Sequence, residues 1–337
     1  MRKPLEGFMV QLRSGHIFDV KGLIHPPGRV VAYPRYVPDP LGPRRRGRMS
    51  FRKLRSWQER LSVIRGEFSS FLVLDPVLGD EFCEVPWPEI ARVFDPVEGL
   101  EALRAGARAG LRGAAVRMAD EVAGRAGLGR GEIGISGSLL VGLEGPGSDI
   151  DIVVYGRKAC LRAYEALRSM REEGITRPLD GPALRTVLEE RSRDTPYDAR
   201  DFYAREPRKL LQGFFMGYSY SARLVPAEGP EPYGLRRFRS LGTAVIRGVV
   251  ADASESMFTP CRYVVEDVEV LQGPGELVPG ELVSFRMRFC EHLEEADVFE
   301  ARGKLELVLG PGEKRTIRLL VGGRPGDYIR PSRPPRP

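Results

Sequence analysis

The sequence predicts an α+β protein in which a central segment of mixed helices and strands is flanked by two β-rich segments. Three observations lead there. Up to about residue 95, short runs alternate apolar and polar positions between Gly and Pro turns, the period of half-buried strands. From about Pro96 the composition shifts to Ala, Leu, Arg and Gly, with apolar residues three and four apart. From Leu241 the alternating runs return, divided by turns such as Gly273-Pro274-Gly275 and Gly310-Pro311-Gly312. The segments that follow are 1–95, 96–240 and 241–329, with a Pro- and Arg-rich tail at 330–337.

In the first segment, 7–10 and 16–20 form a hairpin across Ser14-Gly15, and 30–33 is another strand after the turn His25-Pro26-Pro27-Gly28. Residues 38–47 read as a loop leading into Arg44, Arg45, Arg46 and Arg48. With Arg52, Lys53 and Arg55 these make seven cations between Asp39 and Glu59, and no acid interrupts them. Phe51 and Trp57 lie among them, so the four arginines are candidate nucleic-acid contacts, gripping phosphates while the rings stack on bases. A solvated loop running into a basic helix accounts for the same charges equally well. In the central segment, Leu100 to Val122 has helical periodicity, although Gly106, Gly110 and Gly113 each cost about 1 kcal/mol relative to Ala. Gly129-Arg130-Gly131-Glu132-Ile133-Gly134 matches G-x-G-x-x-G, but it leaves a helix and opens a strand. The dinucleotide fingerprint needs the reverse order, so this is a turn. Residues 158–173 form a helix with Leu161, Tyr164, Ala166, Leu167 and Met170 as its inner face, stopped by Gly174. A second helix covers 182–193, and 218–225 is a strand. The third segment holds five strands, at 244–250, 263–271, 282–289, 303–309 and 315–321. Their spacing predicts a small antiparallel barrel or sandwich, with an OB-like barrel among the options. The tail from Arg330 is too Pro-rich to fold alone and is expected to be extended or disordered.

Bulk properties narrow the classes. The 337 residues allow two or three domains, and 42% hydrophobic with 29% charged residues is ordinary for a globular protein. No apolar run approaches the roughly 20 residues of a membrane span. Pro4 and Glu6 interrupt the N-terminus before any apolar stretch develops, so no signal peptide and a cytoplasmic location are expected. The four cysteines lack C-x-x-C spacing and the three histidines are far apart, which disfavours a zinc site. A net charge of +6 favours polyanionic partners.

The most informative stretch is 135–155. Gly137-Ser138 follows a short apolar run, a Gly- and Pro-rich loop comes next, and Asp149 and Asp151 open a second apolar run. Strand side chains alternate, so the two carboxylates share a face while Ile150, Ile152 and Val154 point to the other. Two adjacent carboxylates need a cation or a proton between them. Mg2+, which takes carboxylate oxygens and substrate phosphates together, fits that need. Gly137 lets the backbone approach a phosphate, and 139–143 can form a short helix with its N–H groups toward an anion.

Gly137-Ser138 followed by Asp149-x-Asp151 resembles the nucleotidyltransferase superfamily of the DNA polymerase beta type, over about residues 97–226. More closely, the chain resembles a family of predicted archaeal nucleotidyltransferases with β-rich flanks. The resemblance implies a Mg2+-dependent transfer of a nucleoside monophosphate from an NTP to a hydroxyl acceptor, with RNA or DNA among the candidate partners and Mn2+ an alternative ion. It assigns Asp149 and Asp151 to the metal and to catalysis, and Gly137 and Ser138 to the nucleotide. Active members carry a third acid on a later strand, and here that position falls on Ser221. Asp180, Asp198, Asp201 and Glu228 are possible substitutes, and Arg223 is either a phosphate ligand or a surface strand residue. The competing expectation is a non-catalytic nucleotide- or nucleic-acid-binding module on the same fold.

Overall fold

The computed structural model describes residues 3–106, 109–227, 229–275 and 277–332. The chain divides into two units. The first holds Met1–Val73, Phe82–Arg177 and Leu210–Pro232, and the second Leu74–Glu81, Pro178–Lys209 and Tyr233–Pro337. Among the described residues, no helix is long and apolar enough to cross a membrane.

The first unit begins with β1 (Met9–Leu12), β2 (Ile17–Val20), β3 (Arg29–Pro38), β4 (Arg44–Arg46) and β5 (Met49–Lys53). Helix α1 (Trp57–Glu67) follows, started by a capping box in which Ser56 and Glu59 satisfy each other's backbone N–H groups. Then come β6 (Leu72–Asp75) and β7 (Asp80–Pro86), of which Leu74, Asp75, Asp80 and Glu81 are assigned to the second unit, and β8 (Ile90–Phe94). The sheet runs β4-β5-β3-β2-β1-β8, with β7 also paired to β3. The expected loop at 38–47 keeps residues 39–43 as loop, but β3 extends to Pro38, and Arg44–Arg46 form β4, which makes a hairpin with β5 across Gly47. Phe51 is fully buried and Trp57 packs on Tyr33 at 5.1 Å, so neither ring forms the open stacking platform read from the sequence.

Next come α2 (Pro96–Gly106), α3 (Gly110–Ala126), β9 (Ile133–Ile135), the single turn α4 (Gly137–Leu140), β10 (Ile150–Tyr155), α5 (Arg157–Glu172), β11 (Thr176–Arg177), β12 (Gln212–Phe215) and β13 (Tyr218–Val225). The helical region is split in the glycine-rich stretch, and the G-x-G-x-x-G run lies between helix and strand as read. In α5 the buried stripe is Cys160, Ala163, Leu167 and Met170, a three- and four-residue repeat. Leu161 and Tyr164 lie on its flank, and Leu161 is 41% exposed, so these two are not inner-face residues. The sheet order is β11-β12-β13-β10-β9, with β10 parallel to β13 and antiparallel to β9.

One core joins the two sheets of this unit. Val10, Phe18, Val20 and Val30 from the first sheet pack with Val153, Tyr155 and Val225 from the second. The Tyr155 hydroxyl donates to the Glu6 carbonyl at 3.0 Å, and its ring meets Phe8 edge-on. Strand β10 is thus covered on both faces. Ile152 and Val154 are buried on one, and the face carrying Asp151 is covered beyond it by the N-terminal sheet.

The second unit holds α6 (Gly181–Arg191), α7 (Ala199–Arg205), β14 (Arg237–Glu255), β15 (Cys261–Gln272), β16 (Glu281–Ser284), β17 (Val298–Leu309), β18 (Arg315–Leu320) and β19 (Tyr328–Pro331). Strand β14 pairs with both β15 and β17, closing the ring β14-β15-β16-β18-β17. Of the barrel and the sandwich left open by the sequence, the closed pairing is the barrel, and it is not wholly antiparallel, because β16 and β18 run parallel. The strand expected at 282–289 ends at Ser284, and a 3-10 turn follows at Met287–Phe289. Arg330 and Pro331, read as the start of the tail, lie in β19 and pair with Glu300 and Phe299. The remaining tail, 333–337, lies outside the described residues.

His292 supplies a pH-dependent term in this unit. Its Nε2 donates to the Ile329 carbonyl at 2.9 Å, while its buried Nδ1 has no hydrogen-bond partner. Burial, with the nearby Lys209 cation, pushes its pKa down to about 3. Because the unfolded chain takes up the proton more readily, this contribution is complete above about pH 6.5 and is lost as the pH falls toward 3. Hydrogen exchange of the barrel strands should show a loss of about 2 kcal/mol between pH 7.5 and 5.0 from this group. His292→Gln should flatten that dependence by the same amount. An unchanged slope in the variant would mean that the imidazole is not held neutral.

Candidate active site

The site lies in the first unit, where the loop between β9 and β10 meets the N-terminal sheet. At the end of β9 the Ser136 hydroxyl donates to the Gly7 carbonyl at 2.7 Å. Gly137 then adopts φ +64°, and a Cβ placed there would overlap the Asp151 carboxylate. Glycine is required on both counts. Helix α4 is only one turn, shorter than the expected 139–143 helix implied, so no summed helix dipole acts here. Ser138 lines the pocket, but it is only 4% exposed and its hydroxyl bonds Ser148 Oγ at 3.2 Å.

Two of the four candidate nucleic-acid arginines hold this loop. Arg44 donates to the Leu143 carbonyl and, at 3.2 Å, to Ser148 Oγ. Arg46 donates to the Val141 carbonyl at 3.0 Å and to Gln11 Oε1 at 2.7 Å. Arg45 and Arg48 point to solvent. The β4–β5 hairpin therefore fastens the Gly-Ser loop to the N-terminal sheet.

Asp151 lies in β10 and Asp149 just before it, outside the strand, and both are half-buried and line the same pocket. Strand β13 places Ser221 directly opposite Asp151, and its hydroxyl donates to Asp151 Oδ1 at 2.6 Å. The position at which the resemblance expects a third acid is thus a serine in contact with the carboxylate. Burial, and then the charge of Asp149, push the Asp151 pKa up to about 6. A carboxylate pair in this condition suits a divalent cation. The donors are hard oxygens, and two protein carboxylates with substrate oxygens are a usual Mg2+ set. Among the described residues, no group of three or more acidic, His or Cys side chains forms a complete metal site. Asp180, Asp198 and Asp201 belong to the second unit and do not line this pocket, and Asp198 caps α7. Glu228 lies outside the described residues.

The N-terminal sheet brings charges that the motif did not reveal. Lys21, Arg35 and Lys53 line the pocket with Arg223, so four cations face the carboxylates Asp19, Asp149 and Asp151. Arg223 is neither a free surface residue nor unpartnered. Its Nη1 donates to the fully buried Glu6 at 2.7 Å, and Glu6 also accepts from Lys21 at 3.1 Å and from the Gly22 N–H at 2.8 Å. Asp19 pairs with Arg60 at 3.4 Å and Arg35 at 3.8 Å. Burial alone would raise its pKa, but Lys21, Arg35, Arg60 and Arg223 hold it at about 2. Asp19 is therefore an anchor for arginines. The available signal for these residues was a charge inside an apolar strand, as with Asp19 in Ile17–Val20 and Arg35 in Arg29–Pro38.

Comparison with known proteins adds one relative. Over 195 residues the chain is 30% identical to an uncharacterized protein of the archaeon Methanocaldococcus jannaschii, covering 56% of this chain and 55% of that protein. The chain thus spans about half the length of the curated relative it matches. No family model matches the chain. No solved structure matches it.

Proposed function

We propose that the first unit is a Mg2+-dependent nucleotidyltransferase, moving a nucleoside monophosphate from an NTP to a hydroxyl acceptor. The observation that carries this reading is the convergence in one pocket of Asp149, Asp151, the backbone of Gly137 and four cations. Asp149 and Asp151 would hold the ion, Mg2+ or Mn2+, which supplies charge neutralisation at the transferring phosphate and its leaving group. The chain's own groups bind and orient. Gly137 leaves room for the Asp151 carboxylate, Ser221 fixes that carboxylate's orientation, and the cations attract the polyphosphate. In the reaction the acceptor oxygen bonds to the α-phosphorus, the bond to the bridging oxygen of pyrophosphate breaks, and the acceptor's proton is released to solvent.

Asp149→Asn and Asp151→Asn each keep size and hydrogen-bonding capacity while removing charge. Each should lower Mg2+-dependent NTP consumption at least a hundredfold in a protein that remains folded. Turnover at the wild-type rate in both variants would remove the assignment.

Ser221 favours a second reading, a nucleotide- or nucleic-acid-binding module without turnover. A serine hydroxyl neither replaces a carboxylate as a metal ligand nor acts as a base at neutral pH. On this reading the wild-type protein binds an NTP with Mn2+ but does not consume it with any hydroxyl acceptor. Any RNA or DNA binding would weaken as salt is raised.

A further inference from the structure

The same hairpin that fastens the Gly-Ser loop ends at a cation with no direct partner. Lys53 is the last residue of β5, is half-buried and lines the pocket. Among the described residues its ammonium makes no hydrogen bond or ion pair within 4.0 Å, although it feels the charges of Asp149 and Asp151. The other cations of the pocket are placed differently. Lys21 and Arg223 are joined to Glu6, and Arg35 is tied to Asp19 and to the Leu54 carbonyl at 3.3 Å. Three cations are thus fixed and one is uncommitted. A half-buried ammonium without a partner pays desolvation without a matching interaction, a state that an anionic ligand relieves. The position is also constrained, because β5 is paired to β4, whose Arg44 and Arg46 hold the 137–148 loop.

We infer that the N-terminal sheet forms the polyphosphate-binding half of the site, with Lys53 as its direct phosphate ligand and Arg35 fixed beside it. This rests on the reading of Asp149 and Asp151 as the metal-binding half. The ligand class is a linear polyphosphate, either the tail of an NTP or the pyrophosphate that leaves it. Lys53 is here a binding residue for the non-reacting phosphates. Arg35, restrained by Asp19, contributes fixed positive charge rather than a mobile contact.

The test is a titration of the full chain with tripolyphosphate in the presence of Mn2+, alongside a separate titration with Mn2+ alone. Lys53→Gln should weaken tripolyphosphate binding about tenfold, the scale of one charge-assisted contact, and leave Mn2+ affinity within twofold of wild type. Lys53→Arg should restore most of the loss. Equal tripolyphosphate affinity in Lys53→Gln and wild type would overturn the inference, as would no tripolyphosphate binding by wild type. Parallel loss of Mn2+ and tripolyphosphate affinity in a folded Lys53→Gln variant would also overturn it, by showing that Lys53 supports the carboxylates instead. The underlying metal assignment fails separately, when wild type does not bind Mn2+ or when Asp151→Asn binds it as well as wild type.

Discussion

Gly137→Ala should reduce Mn2+ affinity at least a hundredfold while leaving the rest of the chain folded. The added methyl would occupy the space of the Asp151 carboxylate, and the backbone at φ +64° is one that an L side chain resists by about 1–2 kcal/mol. Relief cannot come from a simple turn of the Asp151 side chain. Asp151 Oδ1 is held by Ser221 across the parallel pair β10–β13, and Ser136, just before Gly137, is tied to Gly7. Either the carboxylate leaves its position or the loop moves away from it, and both destroy the pairing of Asp151 with Asp149. The core formed by Val153, Tyr155 and the N-terminal sheet lies farther along the strand and should persist. Mn2+ titration with circular dichroism as a folding control makes the check. Wild-type affinity in a folded Gly137→Ala protein would show that Asp151 is not a metal ligand.

Glu6→Ala should destabilise the first unit by about 3 kcal/mol, the lower part of the range for breaking a buried ion pair. Glu6 is fully buried and accepts from Lys21, Arg223 and the Gly22 N–H, so its removal leaves two cations and a backbone donor unpaired. Lys21 and Arg223 retain 32% and 22% side-chain exposure, which places the cost below that of a sealed pair. Urea unfolding followed by Trp fluorescence reports on this unit, since Trp57 and Trp87 both lie in it. Glu6→Gln should recover part of the loss through the retained amide oxygen. A change below about 0.5 kcal/mol in Glu6→Ala would mean that the cations find other partners or solvent at little cost.

The motif itself was legible from its i, i+2 spacing, and the pocket contains both carboxylates, although Asp149 sits just before β10 and not within it as strand alternation had it. The alignment of Ser221 with Asp151 was likewise readable, from the end of its strand, and the parallel register agrees with it. What covers the Asp151 face was not readable. Val153 and Tyr155 are buried by a sheet built from a separate, earlier stretch of the chain, and such long-range packing leaves no periodicity in either segment. The arginine run shows the same limit. A block of positive charge reads as a surface for polyanions, yet Arg44 and Arg46 donate to carbonyls of the Gly-Ser loop, and Phe51 is a core residue. In the second unit, β14 to β18 were visible from alternation and turns, whereas β19 was read as the start of the tail. The parallel pairing of β16 and β18 depends on how the chain crosses the barrel, which turn chemistry does not encode.

On the proposed function, Asp149 and Asp151 together bind a divalent ion that meets a nucleoside triphosphate. A crystal structure of the full chain with Mn2+ and a non-hydrolysable NTP analogue tests it most directly. The anomalous signal of Mn2+ should lie within coordination distance of both carboxylates and of phosphate oxygens. No Mn2+ at that pair, with the analogue bound elsewhere or not at all, would contradict the claim.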